Sequence, residues 1–230
     1  MRAKSYLKLN NRQLYYRLLA IFILAAIIYN SWPLAYIIDS KVSRRGVVSN
    51  LELPGHPHFR VFLDGDIIAG VIIVLLGLMI NFVKYKYKLK QFSYYVVSFG
   101  LVDFGFFTAF GAGAPDICTH RLRNQCVHIE GRLLSPDSLM SAFAMLGLFI
   151  ATCGALYLAV IKLPEIYSYI SGLILAIFFS LASWITISAF YFYSIHRIEE
   201  VFLIVCGLAL VLIGVNILSI WQSYLAYPPT

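Results

Sequence analysis

Asp103 is the only charged residue in the apolar run Ser93–Ala112. A carboxylate near the middle of a membrane-spanning helix costs at least ~2.5–3.5 kcal/mol on insertion scales. Two readings of it stay open. Asp103 is a proton site, a cation site or an anchor for a bound ligand, or it is a neutral carboxyl hydrogen-bonded to Ser, Thr or Tyr of a neighbouring helix.

The other polar candidates fall in connecting segments. Ser49, Arg60 and Asp66 belong to one such segment and its exit, and Asp116 to another. Arg197 and Glu200 belong to the short turn His196-Arg197-Ile198-Glu199-Glu200, where acids suit the N-terminal dipole of the helix that follows. Acidic and basic groups gathered at headgroup depth suit a zwitterionic or phosphorylated lipid headgroup. His56, His58, Asp64, Asp66, Asp116, His120 and His128 could in principle hold a divalent ion. No H-x-x-x-H or H-E-x-x-H places two of these histidines on one helical face, so no metal site is expected. Cys118 and Cys126 share one segment. Outside the cytoplasm such a pair oxidises to a structural disulfide that braces the loop, the alternative being a catalytic thiol pair, which lacks a C-x-x-C here. Cys153 and Cys206 fall inside apolar runs and read as apolar fillers. The chain contains no Walker loop, nucleophile elbow or dinucleotide fingerprint, and no cofactor is expected. Whether it is an enzyme is left open by these residues.

The elements that must position these groups are membrane helices. Of 230 residues, 60% are hydrophobic and only 13% charged, and mean hydropathy is +0.80. A soluble domain is about a quarter charged, and a disordered chain is polar and poor in aromatics. A bilayer core about 30 Å thick takes roughly 20 apolar helical residues. Six runs meet that need: about Leu18–Ile38, Asp66–Val83, Ser93–Ala112, Asp137–Ile161, Ile166–Phe190 and Val201–Tyr224. The first follows a basic start but has no small-residue cleavage site, so it reads as an uncleaved span. The expected fold is a single all-α domain over 1–230, a polytopic bundle of six transmembrane helices in the cell membrane.

Basic residues set the orientation. Arg2, Lys4, Lys8, Arg12, Arg17, the run Lys84–Lys90 and Lys162 meet only Glu165 on one side, whereas the arginines and lysines of the opposite segments are offset by acids. Both termini are therefore expected in the cytoplasm, with outer loops at about 39–65 and 113–136. The net charge of +7 is a topological signal and not a nucleic-acid surface.

Small residues predict packing faces. Ala144, Gly147, Ala151 and Gly154 form one helical stripe, and Gly172, Ala176, Ser180 and Ser183 another; both are expected inside the bundle. Gly100, Gly105, Ala109, Gly111 and Gly113 are expected to loosen the outer end of the third run.

Three stretches carry a family resemblance. They are Val48-Ser49-Asn50-Leu51-Glu52-Leu53-Pro54-Gly55-His56-Pro57 leading to Asp66-Ile67-Ile68-Ala69-Gly70; Pro115-Asp116-Ile117-Cys118 with Cys126, Gly131 and Leu134-Ser135; and Arg197-Ile198-Glu199-Glu200. Together they resemble the domain-of-unknown-function 998 family of six-helix prokaryotic membrane proteins. The family tends to place a histidine about six residues after the Leu-Ser, where this chain has Ser141. The resemblance implies a six-helix bundle with an outer polar face, and no activity. The expected function is binding or handling of a lipid headgroup by an outer vestibule, with membrane lipids and a further membrane protein as partners. The alternatives are a small ion-coupled transporter using Asp103, a non-catalytic partner of other membrane proteins, or a membrane-embedded hydrolase or transferase.

Overall fold

The computed structural model describes residues 2–38, 59–86, 92–113, 120–122, 125–127, 136–190 and 196–226. Its elements in chain order are α1 (Arg2–Tyr29), α2 (Pro33–Ile38), α3 (Phe59–Lys86), α4 (Ser93–Gly113), β1 (His120–Leu122), β2 (Gln125–Val127), α5 (Pro136–Lys162), α6 (Glu165–Phe190) and α7 (His196–Ala226). Five helices are long and apolar enough to cross a membrane: α3, α4, α5, α6 and α7. The first helix adds a shorter apolar stretch over Gln13–Tyr29. The chain is thus an integral membrane protein whose described residues are helical apart from one antiparallel hairpin pairing Arg121 with Cys126.

The first apolar run is not one helix, contrary to expectation. It breaks at Asn30–Trp32 because Pro33 has no N–H to offer and fits the first position of a new helix. The break is still well bonded. Asn30 N–H donates to the Ala26 carbonyl at 3.1 Å, Ser31 N–H to Ile28 at 3.1 Å, and Leu34 N–H to Ser31 at 2.9 Å. Pro164 performs the same task between α5 and α6. There Lys162 ends one helix and Glu165 begins the next, each at the pole its charge favours. At the opposite end α3 begins at Phe59, so the last residues of the expected first loop, through Gly65, are helical.

Helix α4 lies between α3 and α5, and α7 packs on α1, α5 and α6. Contact of α1 with α3 closes the ring, and α6 is applied from outside across α5 and α7. Lipid tails are as apolar as leucine, so close backbone approach and polar bonds must hold such a bundle together. The glycines of α4 supply the approach. A methyl group added at Gly105 would lie 2.5 Å from the Gly70 carbonyl oxygen, and one at Gly100 would lie 2.5 Å from the Gly147 carbonyl oxygen. Gly100 and Gly105 therefore clamp α4 to both neighbours, whereas a methyl group at Gly111, nearer the C-terminal end of the helix, would meet only Met140 at 3.4 Å. Ser98 Oγ adds a buried hydrogen bond to the Gly77 carbonyl at 2.8 Å.

The stripe on α5 packs as expected: Ala144, Gly147, Ala151 and Gly154 are all buried. The stripe on α6 does not. A methyl group at Gly172 would meet nothing within 4 Å, and Ala176 and Ser180 are exposed. Two stronger anchors turn α6 the other way. Phe178 wedges between Phe149 of α5 and Phe202 of α7, with ring centroids 6.3 and 5.2 Å away. Seven residues earlier, fully buried Ser171 accepts a hydrogen bond from Asn216 Nδ2 at 2.8 Å. Ser180 tolerates the lipid side because its hydroxyl donates to the Ala176 carbonyl of its own helix at 2.8 Å.

Candidate functional site

The bundle has two unlike ends. One carries the α3–α4 and α5–α6 connections, and the other carries the first turns of α3, α5 and α7. The second is the loop end, where most predicted site residues belong.

Arg60 lies in the first turn of α3 at the loop end, exposed, and makes no hydrogen bond or ion pair among the described residues. Asp66 follows six residues, or ~9 Å, further along the same helix. It is half-buried and engaged by neighbouring groups. The turn expected at His196–Glu200 is instead the start of α7. There Glu200 is half-buried and engaged, and Arg197 is helical with its side chain outside the described set. Ser49, Asp116 and Cys118 lie outside the described residues, and with them the expected Cys118–Cys126 bridge. Cys153 and Cys206 are free thiols, Cys206 fully buried.

Asp103 does not join the loop-end groups. It lies ten residues from Ser93 and nine from Ala112, so ~14–15 Å of helix separates it from either end of its span. Its place follows from the wheel of α4. Leu101 and Phe104 point into the core, Gly105 meets α3, and Phe99, Phe106 and Phe110 are exposed. Asp103 falls on the seam between the α5 contact and that exposed aromatic face, and it is partly exposed. Its Oδ2 lies over Gly147 of α5, 2.7 Å from where a β-carbon would stand. The Ser, Thr or Tyr partner that the second of the two readings requires is not found among the described residues: no hydrogen bond or ion pair reaches Asp103 from them. Thr108 and Thr152, the buried threonines of α4 and α5, are no exception, Thr152 donating to its own Leu148 carbonyl at 2.7 Å.

A chain of contacts shows what shares Asp103's depth. Beside it, Phe104 meets Tyr29 of α1 edge-to-face, with ring centroids 5.4 Å apart. The next residue, Asn30, packs against Gly207 of α7. Adjacent Cys206 donates its thiol to Met145 of α5 at 3.8 Å, and two residues on is Gly147, beneath Asp103. The end of α1 and the α4 carboxyl therefore occupy one layer through α1, α4, α5 and α7.

Two polar residues that carry weight here were missed in the sequence. Asn30 donates through Nδ2 to the Ala26 carbonyl at 3.0 Å, while its buried Oδ1 has no hydrogen-bond partner among the described residues. Asn216 is fully buried and holds α6 through Ser171, its own Oδ1 likewise without a partner among the described residues. A lone amide within Gly207–Trp221 was the available signal. No family model, no curated protein and no solved structure matches this chain.

Proposed function

We propose that the protein binds the headgroup of a zwitterionic or phosphorylated lipid at its loop end, and that this end faces outward from the cell membrane. The observation that carries the reading is Arg60, an exposed guanidinium at the mouth of α3 with no partner among the described residues. A guanidinium matches phosphate oxygens two at a time. Asp66 and Glu200 supply acids at the same end for a headgroup ammonium. Ser49, Asp116 and Arg197 complete the proposed ligand set, with the Cys118–Cys126 bridge bracing the cover. Membership of the domain-of-unknown-function 998 family belongs to this proposal, supported by the loop motifs quoted above.

The topology is part of the same reading: six spans, with α1 and α2 making the first, and both termini in the cytoplasm. The basic residues at the connector end support it. An ion-coupled transporter using Asp103 is less favoured. Backbone contacts at Gly70–Gly105 and Gly100–Gly147 close the α3–α4 and α4–α5 faces along which a water path would run.

Native mass spectrometry of gently purified protein tests the proposal. A specific phospholipid should be retained by the wild type and lost from Arg60→Ala. Retention of unselected bulk lipid by both would overturn it.

A further inference from the structure

We infer that the α4–α5 seam at Asp103 is a docking site for a transmembrane helix of another protein, one that carries a lysine or arginine at mid-bilayer depth. Three observations converge. Asp103 is partly open on the perimeter of the bundle, not sealed in its core. No described group satisfies it, and packing over Gly147 provides only backbone. Phe99, Phe106 and Phe110 form an exposed aromatic face beside it, and Phe107 stacks on Phe143 of α5 at 5.1 Å to close the seam above.

Depth selects the class of partner. The carboxyl lies ~14–15 Å of helix from either end of its span, beyond the reach of a lipid headgroup, and acyl chains have no donors. A second helix brings a fixed donor there. Charge selects its chemistry, since an ionisable group within the bilayer is stabilised by pairing with its opposite. A second copy of this chain lacks the complement: no Lys or Arg lies between Arg17 and Lys41, or inside the runs Ile67–Val83, Ser93–Ala112, Leu139–Ile161, Ile166–Trp184 and Val201–Ser223. The aromatic face adds a surface on which a cationic side chain can also rest. The spacing of Phe99, Asp103, Phe106 and Phe110, at steps of four, three and four, presents these groups as one helical ridge.

The test uses full-length protein labelled at its C-terminus in phosphatidylcholine vesicles, with labelled polyleucine transmembrane peptides carrying a central Lys, Glu or Leu. Energy transfer reports association. The Lys peptide should bind about tenfold more tightly than the Leu peptide, as one interhelical polar contact provides, and the Glu peptide no better than Leu. Asp103→Asn, which keeps the shape, should lose most of that preference. Comparison of the three peptides on the wild type needs no variant to fold. Equal binding of Lys and Leu peptides, or an undiminished Lys preference in Asp103→Asn, would overturn the inference. So would Asp103-dependent self-association without peptide, which would assign the seam to a second copy.

Discussion

Gly70→Ala tests how the bundle is held. An added methyl group would stand 2.5 Å from the Gly105 carbonyl oxygen and 2.7 Å from both the Ala109 nitrogen and its β-carbon. Two of those three atoms are backbone, so no rotamer change relieves the clash. Restoring ordinary carbon–oxygen contact near 3.3 Å requires α3 and α4 to part by ~0.8 Å. A parallel displacement would stretch the Ser98–Gly77 hydrogen bond from 2.8 Å to about 3.6 Å, where it no longer counts as one. Overpacking of this kind costs about 1–3 kcal/mol, and loss of an interhelical hydrogen bond in a membrane adds ~0.6. The expected destabilisation is therefore about 1.6–3.6 kcal/mol. Reversible unfolding in mixed micelles measures it. Gly172→Ala is the control, because nothing stands within 4 Å of its added methyl. That variant should be neutral or more stable by up to ~1 kcal/mol, as alanine favours helix. Equal stability of Gly70→Ala and Gly172→Ala would refute the view that backbone contact clamps α4.

Three further outcomes are expected. A double-mutant cycle on Asn216→Ala and Ser171→Ala should give a coupling of ~0.6 kcal/mol, with a ceiling near ~1.7; additive losses would show that their 2.8 Å bond does not hold α6. Phe178→Ala should cost about 3 kcal/mol or more and raise protease sensitivity in the α5–α6 connection more than in the α3–α4 one, since Phe178 is wedged between Phe149 and Phe202. Reduction of denatured protein should add the mass of two hydrogens if Cys118 and Cys126 are bridged, with Cys153 and Cys206 alone alkylated beforehand; four thiols alkylated without reductant would remove the bridge from the account.

The architecture was largely legible because an apolar run long enough for a bilayer allows few alternatives to helix. Packing was less legible, and α5 and α6 show why. Both carry small residues at steps of three and four. On α5 the stripe is the tightest available contact, whereas on α6 it competes with Phe178 and Ser171, whose partners sit on other helices and are invisible in one segment. The clamping by Gly100 and Gly105 was not legible because it depends on Gly147 and Gly70 standing opposite. The break at Asn30–Trp32 was signalled by Pro33, yet overall hydropathy favoured a single span. Among the site residues, Arg60, Asp66 and Glu200 do share the loop end, and Asp103 is set apart by depth, as its position within the run required. Its openness to the perimeter, however, depends on the angle at which α5 meets α4, which no local pattern encodes.

Headgroup binding at Arg60 is tested most directly by lipid competition in nanodiscs, comparing a phospholipid with the diacylglycerol that lacks its phosphate, for wild type and Arg60→Lys and Arg60→Ala. The account predicts a phosphate-dependent preference of about tenfold in the wild type, from one charge-assisted bidentate contact worth roughly 1.5 kcal/mol. Lysine should weaken it and alanine abolish it. Equal occupancy by the two lipids in the wild type, or an unchanged preference in Arg60→Ala, would contradict the claim.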